Sequence, residues 1–299
     1  MKILAVVVTH NRRILLEQCI QHINTQQRLP DEVLVINNGS TDETENYLIA
    51  NKIKHITQEN LGSAGGWSTG IEYALRKNFD ACWLMDDDGY PHKNSLEILE
   101  QNLDSRVSCV SSVVLKEDKK NEFVFPMPYL NKHGNPTLKP FKRKIHTLDE
   151  MESINNKPSY PFAHLFNGAL INMSFIEKVG NINKNFFMFG DEVDYFYRLR
   201  KVGAVKSMLN AYHYHPDVTK RPYSDIKVYY LIKNTIILHK RYFDKSLLRN
   251  LILIPVVLVR VLFRNGIVYF LKYIFSKKLL MPKSVLRGFQ GNIGKDHAC

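Results

Sequence analysis

The sequence predicts an α/β protein with a mostly parallel sheet and flanking helices, followed by a helical region that is both basic and apolar. Short apolar runs alternate with helix-like stretches through the first third of the 299 residues, as in proteins whose helices cross over between parallel strands. The formal charge is +12, and the segment 245–290 holds nine basic residues and no acidic one. We therefore expect one α/β domain over residues 1–235 and a helical region over 236–299.

Four apolar runs have the length of strands, and a helix-like stretch follows each of the first three. The runs are ILAVVV (3–8), EVLVIN (32–37), KHIT (54–57) and ACWLM (81–85), and the stretches are RILLEQCIQHINTQ, TDETENYLIANK and GGWSTGIEYALRK. Ligands of open parallel sheets bind at the carboxyl ends of the strands. The polar clusters at those ends, 9–11, 37–42, 59–66 and 86–88, are thus expected to form one site.

The middle of the chain, residues 111–165, is rich in Pro, Lys and Asn, and it predicts long loops or an excursion over the active face. Regular structure is expected to return at residue 166.

The four cysteines have no CxxC spacing, which favours a reducing compartment over a disulfide framework or zinc site. The apolar run at 3–8 is too short for a signal peptide, so we expect a cytoplasmic protein.

Three consecutive carboxylates, Asp86, Asp87 and Asp88, follow the fourth apolar run directly. In an extended chain Asp86 and Asp88 face one way and Asp87 the other. Such a pair of oxygen ligands suits Mn²⁺ or Mg²⁺, which fill their other positions with water and substrate phosphates. The alternative is an exposed acidic turn that caps the helix-like stretch HKNSLEILEQNL.

A second acidic group, Asp191 and Glu192 in FGDEVDYFYRLR, lies among aromatic residues at the start of a helical pattern. Acids at a helix start interact favourably with the dipole. A carboxylate in an aromatic pocket is also suited to act as a general base, because its pKa is raised toward the working range. His213 and His215 share one face of an extended segment, and either suits an oxygen-rich metal site or a polar surface.

The glycines of NLGSAGGWSTG precede a helix and allow backbone amides to approach a phosphate or a sugar. The spacing matches neither GxGxxG nor GxxxxGK[ST], which excludes the usual NAD-dependent enzymes and P-loop kinases.

Five motifs, taken in chain order, resemble those of glycosyltransferase family 2, inverting enzymes of the GT-A fold. They are VVVTHNR, VINNGSTD, QENLGSAGG, MDDDG and FFMFGDEVDYFYRLR. The resemblance covers about residues 1–235 and is strongest to bacterial galactofuranosyl- and rhamnosyltransferases.

The resemblance implies a role for individual residues. Asp86 and Asp88 would bind Mn²⁺ or Mg²⁺, with His213 or His215 as a third ligand, and Glu192, with Asp191 next in order, would be the catalytic base. The residues implied to bind the donor, a UDP- or dTDP-sugar, are Thr9, Asn38, Asn60, Gly65, Trp67 and Asp87. Family members often have Asp at the position of Asn37. The amide of Asn37 can still hydrogen-bond the pyrimidine of the donor nucleotide.

The basic segment LRNLILIPVVLVRVLFRNGIVYFLKYIFSKKLL (248–280) favours helices that lie in a membrane interface. Arg260 and Arg264 interrupt its apolar runs, which are shorter than the approximately 20 residues of a membrane span. Helices packed on the α/β domain are the alternative, whereas nucleic acid fits poorly because bulky aliphatic residues separate the basic ones. We expect an anionic membrane surface as partner and an acceptor that is a glycan or a lipid-linked glycan.

Two other functions are compatible with these residues. A sugar nucleotidyltransferase also uses a metal-bound carboxylate pair, but it normally begins with a glycine-rich, basic loop that THNRR does not resemble. A glycan-binding scaffold without catalysis would keep the fold, yet the acids at 86–88 and 191–192 are intact. The resemblance to glycosyltransferase family 2 thus implies a metal-dependent, inverting glycosyltransferase of bacterial surface glycan synthesis, such as O-antigen or capsule.

Overall fold

The computed structural model describes residues 1–139, 143–218, 221–275 and 279–296. Lys277 and Lys278 of the basic segment, and Cys299, lie outside the described residues. The chain divides into two compact units. The first unit comprises Met1–Asn183 and Tyr195–Asp217, and the second comprises Lys184–Asp194 and Val218–Cys299. The expected boundary at 235/236 falls inside a helix, Asp225–Tyr242, whose apolar residues pack with the helices that follow it.

Strands and helices alternate in the first third of the chain, as predicted. They are β1 (Ile3–Thr9), α1 (Arg13–Asn24), β2 (Glu32–Asn38), α2 (Thr44–Ala50), β3 (His55–Gln58), α3 (Gly62–Arg76) and β4 (Ala81–Asp86). The four strands pair in parallel in the order β3-β2-β1-β4. The carboxyl ends of β1, β2 and β4 therefore meet at one edge, where the site was predicted.

Strand β1 is central because its side chains are buried on both faces of the sheet. Ile3, Ala5 and Val7 pack in one core with apolar residues of α1, such as Leu16 and Ile20. On the opposite face α3 approaches β1 through glycines, as described below. A continuous run of Val and Ile rather than an alternating one is typical of a strand covered by helices on both sides.

The rest of the first unit extends the sheet with antiparallel and parallel pairs. Its elements are β5 (Tyr90–Pro91), α4 (Ser95–Gln101), β6 (Val107–Lys116), β7 (Glu122–Pro128), β8 (Lys144–Thr147), α5 (Leu148–Ile154), β9 (Ser159–Tyr160), β10 (Asn167–Asn172), α6 (Ile176–Val179), α7 (Asp191–Val202) and β11 (Ala204–His215); α7 begins within the second unit. β10 lies antiparallel between β4 and β6, and β11 runs parallel to β6. The sheet is therefore mixed.

The prediction of long loops over 111–165 was wrong for much of that segment. β6 runs through Lys116, and β7, β8, α5 and β9 follow it. Three serines in β6 obscure its strand pattern, but two of their hydroxyls have partners inside the fold: Ser108 donates to the Leu199 carbonyl at 3.0 Å and Ser111 to the His164 carbonyl at 3.1 Å. The segment also has its own apolar core, which includes Val113, Phe123, Ile145 and Met151.

The described part of the second unit holds the start of α7 and the helices α8 (Asp225–Tyr242), α9 (Ser246–Ile274) and α10 (Leu280–Gln290). Their shared core includes Tyr230, Ile236, Val257 and Val261. Gly266 interrupts α9, since its φ of 81° is not helical. The predicted helical character of this region is confirmed.

Candidate active site

The carboxylate triplet begins at the last residue of β4. Asp86 ends the strand, and Asp87 and Asp88 form a turn in which they are only 3% and 8% exposed. An exposed acidic turn is therefore not what the chain forms. Helix α4 also begins later, at Ser95 after Asn94, so the triplet does not cap it. Two adjacent buried carboxylates need charged or hydrogen-bonding partners, because an unpaired buried charge is costly.

Each of the four oxygens of Asp87 and Asp88 has a partner. The Thr9 hydroxyl donates to Asp87 Oδ2 at 2.7 Å. Arg12 Nη1 lies 3.0 Å from Asp87 Oδ1 and 2.8 Å from Asp88 Oδ2. His215 Nε2 lies 3.0 Å from Asp88 Oδ1. Burial raises the pKa of Asp87, and the Arg12 guanidinium and the Thr9 hydroxyl act in the opposite direction.

The expected alternation of the three carboxylates ends with the strand. Asp87 and Asp88 lie in a turn, so both of their carboxylates meet the same guanidinium instead of facing opposite ways. Asp86 keeps a strand contact, since its backbone amide donates to the Phe166 carbonyl at 2.9 Å. The physical reason is that period-two alternation holds only where the backbone is extended.

The two histidines lie on one face of β11, as their spacing predicted, and both are buried. His215 contacts Asp88. The ring of His213 lies against Gly89 and Gly168, and both of its nitrogens have no hydrogen-bond partner among the described residues. Burial lowers the pKa of His213 to about 3, so its ring is neutral at physiological pH.

The ends of β2 and β3 form a hydrogen-bonded network with the loop before α3. Asn38 Nδ2 donates to the Gly62 carbonyl at 3.0 Å, and Asn38 Oδ1 accepts from Gln58 Nε2 at 2.9 Å. Asn60 Oδ1 accepts from the Gly62 amide at 3.0 Å, and the residue is exposed. Asn38 thus fixes the loop, whereas Asn60 is accessible to a ligand.

The carboxylate that Asn37 lacks is supplied from α2. Asn37 Nδ2 donates to Glu45 Oε2, and the Thr57 hydroxyl donates to the same oxygen at 2.6 Å. Both hydrogen bonds lower the pKa of Glu45, and the bond from Thr57 has the larger effect. An acidic group therefore stands beside Asn37 at the end of β2.

Glycines within α3 are used for packing. A Cβ on Gly66 would lie 2.6 Å from Val8 Cγ1, and one on Gly70 would lie 2.6 Å from Val6 Cγ1. Gly65 is buried against Leu61. Trp67 is fully buried and stacks on Phe166, with the ring centroids 4.7 Å apart. The side chain of Trp67 therefore has no exposed surface for the expected contact with a sugar.

Asp191 and Glu192 occupy the first turn of α7, in the part of that helix that belongs to the second unit. Asp191 is 4% exposed, and Glu192 is partly buried. The nearby Asp194 accepts a hydrogen bond from the Tyr242 hydroxyl at 2.7 Å. The position at a helix start agrees with the favourable dipole interaction and leaves the role of base open.

Arg12 and Glu45 are two site residues that the sequence interpretation missed. A signal existed for Arg12: HNRR places two arginines at the start of α1, where the helix dipole disfavours cations and the first turn holds no acid. No comparable signal marks Glu45, because an acid in the first turn of a helix is common.

Comparison with known proteins identifies the family of the chain. The model of the family described as "Glycosyl transferase family 2" matches residues 4–155, about half of the chain. Galactofuranosyltransferase GlfT1 of Mycobacterium tuberculosis H37Rv is 31% identical over 224 residues, which are 72% of this chain and 70% of that protein. The low-salt glycan biosynthesis hexosyltransferase Agl10 of Haloferax volcanii is 23% identical over 281 residues, 88% of this chain and 84% of that protein.

Among solved structures, the mannosyltransferase PcManGT of Pyrobaculum calidifontis, in complex with GDP-Man and Mn²⁺, matches 96% of this chain and 73% of its own. The TM-score is 0.56 at 14% identity, which is evidence for the fold. The family model and the identity to GlfT1 carry the assignment further than the fold alone. The chain belongs to glycosyltransferase family 2, is related within it to galactofuranosyltransferases, and has the GT-A fold of these enzymes.

Proposed function

We propose that the chain transfers a sugar from a UDP- or dTDP-sugar to a hydroxyl of a polysaccharide or lipid-linked glycan, with inversion and with a divalent cation. Galactofuranose is favoured, in keeping with the named activity of GlfT1, and rhamnose is the second choice. One observation carries the proposal: Asp88 and His215 meet at the carboxyl end of β4, beside Asp87 and Thr9. We assign the product to bacterial surface glycan, such as O-antigen or capsule.

The residues present fit Mn²⁺ or Mg²⁺ in part. Across the described ranges, no three His, Cys, Asp or Glu residues are arranged to hold a metal ion. Asp88 and His215 provide an oxygen and a nitrogen donor 3.0 Å apart, and Asp86 lies two residues away. These cations are commonly held by one or two carboxylates, with substrate phosphates completing the shell. A cation bound here supplies charge stabilisation for the leaving nucleotide diphosphate. We propose Asp88 and His215, which already lie together, as ligands, with Asp86 as a third that joins them when the cation binds. His215 is chosen over His213 because it hydrogen-bonds to Asp88, whereas the nitrogens of His213 have no hydrogen-bond partner among the described residues.

The chain's other proposed roles concern the acceptor and the donor. Glu192 takes the proton of the acceptor hydroxyl while that oxygen attacks the anomeric carbon from the face opposite the leaving group. The anomeric carbon–oxygen bond to the diphosphate breaks through an oxocarbenium-like transition state, as in glycosidases, and the configuration inverts. Asp191 is the second candidate for the base. Thr9, Asn60 and Asp87 are proposed to line the donor.

Glu192→Gln tests the proposed base. We expect turnover to fall by about 100-fold, at the lower end of general-base contributions, while donor affinity stays unchanged. Asp191→Asn is the matched variant, and it is expected to have the smaller effect. If Glu192→Gln turns over normally and Asp191→Asn does not, the base is Asp191.

The products of the reaction separate this proposal from a nucleotidyltransferase. Full-length protein is incubated with UDP-galactofuranose or dTDP-rhamnose and Mn²⁺, with EDTA as the control. A glycosyltransferase releases UDP or dTDP, and slow hydrolysis does so even without the acceptor. A second incubation, with a sugar phosphate and UTP, tests the alternative. Release of pyrophosphate in that incubation would identify a nucleotidyltransferase. A scaffold without catalysis would release neither product, with or without Mn²⁺.

We further propose that α9 and α10 hold the enzyme on the inner face of the cell membrane as a peripheral protein. Helix α9 is long and apolar enough to cross a membrane. Only 11% of an apolar stretch of 18 residues within it is buried, so most of that stretch is available to lipid. Phe263, Val268 and Phe275 are 83%, 65% and 78% exposed. The break at Gly266 and the nearby Arg264 favour a helix that lies along an anionic surface over one that spans it.

Flotation with liposomes of anionic and of neutral lipid tests this attachment. The variant Phe263→Ser/Val268→Ser/Phe275→Ser is expected to lose most of the binding to anionic liposomes. Ile14→Ser/Leu29→Ser, which changes exposed apolar residues of the first unit, is the control and should float like the wild type. Equal flotation of both variants would refute the role of α9. Binding that is the same on neutral liposomes would refute the role of its basic residues.

A further inference from the structure

The side chain of Arg12 places a permanent positive charge between two carboxylates of the candidate active site. The backbone on either side is held in place. The Asn11 amide donates to Ser40 Oγ at 3.0 Å, and the Arg12 carbonyl accepts from the Leu16 amide at 3.0 Å as α1 begins. The site for this arginine is otherwise unfavourable, because it lies at the positive end of the α1 dipole. The two carboxylates are the feature that compensates for this placement.

Arg12 shares Asp88 with the group proposed to bind the cation. Arg12 Nη1 is 2.8 Å from Asp88 Oδ2, and His215 is 3.0 Å from the other oxygen. The side chain of Arg12 is 41% exposed, whereas those of Asp87 and Asp88 are 3% and 7% exposed. The carboxylates are therefore fixed by burial, while the guanidinium has room to move toward solvent. A cation that binds Asp88 must share it with this guanidinium or displace the guanidinium.

We propose that Arg12 is a positioning residue that makes cation binding depend on the nucleotide diphosphate of the donor. A divalent cation alone adds positive charge next to a guanidinium, and the repulsion lowers its affinity. A cation that arrives with a diphosphate brings compensating negative charge, so the same repulsion is largely removed. The donor and the cation therefore bind with positive coupling, and Arg12 supplies much of that coupling. The inference rests on the proposed function, because it takes Asp88 as a cation ligand.

Equilibrium titration with Mn²⁺ tests the role of Arg12 without any turnover. Free Mn²⁺ is followed by electron paramagnetic resonance, first without nucleotide and then at saturating UDP, with dTDP in a parallel series. In the wild type we expect weak binding of Mn²⁺ alone and tighter binding with the nucleotide. Arg12→Gln should bind Mn²⁺ alone about tenfold more tightly, because the repelling charge is gone. Its further gain on addition of nucleotide should be correspondingly smaller.

Arg13→Gln is the matched control, since it removes one positive charge from the same helix start. Arg13 contacts Glu17 at 3.1 Å, and its loss should leave the affinity for Mn²⁺ and the coupling as in the wild type. Arg12→Lys keeps the charge and should restore weak binding of Mn²⁺ alone, and it also serves if Arg12→Gln does not fold. Equal or weaker Mn²⁺ affinity in Arg12→Gln, or tighter binding in Arg12→Lys, would overturn the inference. Absence of Mn²⁺ binding in the wild type, with and without nucleotide, would instead refute the cation site of the proposed function.

Discussion

Two segments were predicted to belong to the site, one for the cation and the donor and the other for the donor, and the chain builds them in opposite ways. Residues 86–88 meet polar partners, namely Thr9, Arg12 and His215. Residues 62–67 are largely packing, since Gly66 lies against Val8 and Trp67 is fully buried. A buried charge must have a partner, so its surroundings are chemically informative. Glycine allows close approach of a ligand or of a strand equally well, so its presence does not distinguish the two.

The largest expected effect separates packing from binding at Trp67. Trp67→Ala should lower the free energy of unfolding by about 3–5 kcal/mol, as is typical when a buried aromatic side chain is removed. Urea unfolding measures this loss. Trp83→Ala, which removes the other tryptophan from a fully buried position in β4, is the matched variant and should cost a similar amount. The milder Trp67→Phe should keep the donor dissociation constant within about twofold. A stable Trp67→Phe protein that no longer binds the donor would show that Trp67 serves donor binding and not only packing.

Asp88→Asn probes the polar segment, and we expect turnover to fall by about 100-fold. The substitution keeps the shape of the side chain and removes one charged ligand; loss even of groups that merely orient ligands costs about 10- to 100-fold. Nucleotide release in the presence of Mn²⁺ measures the effect. Asp104→Asn, an exposed change beside Arg106, should have normal turnover. Normal turnover in Asp88→Asn would remove Asp88 from the proposed cation site.

The sequence predicted the parts of the fold that rest on local pattern. The parallel pairing of β1 to β4 was predicted from continuous apolar runs and short connections, whereas their order in the sheet was not; the pairing places Thr9, Asn38 and Asp86 at one edge. Strand β6 was missed because Ser108, Ser111 and Ser112 interrupt its apolar pattern, although all three are buried in the fold. The contact between Arg12 and Asp88 joins residues 76 positions apart, and no periodicity reports such a pairing.

The close approach of α3 to β1 predicts a smaller, steric effect. Gly70→Ala should lower the free energy of unfolding by about 1–3 kcal/mol, because the new Cβ would lie 2.6 Å from Val6 Cγ1. Alanine is otherwise the better helix residue, so a loss of stability identifies the contact as its cause. The double variant Gly70→Ala/Val6→Ala should be more stable than the sum of the single effects predicts, because the clash is absent. Simple additivity would show that α3 does not depend on this glycine for packing.

The smallest expected effect tests the polar edge at Glu45, the acid beside Asn37. Hydrogen bonds, first of all from Thr57, hold the pKa of Glu45 below its usual value of 4.5. A carboxylate whose pKa is lowered by folding stabilises the folded state above its unfolded pKa and loses that contribution as the pH falls through the folded value. The wild type should therefore exceed Glu45→Gln in urea midpoint at pH 7, and the difference should close as the pH falls below 4.5. Thr57→Val removes the main donor and should reduce the same pH-dependent difference. A difference that stays constant with pH would mean that Glu45 stabilises the edge by packing, in the manner of α3, and not by its charge.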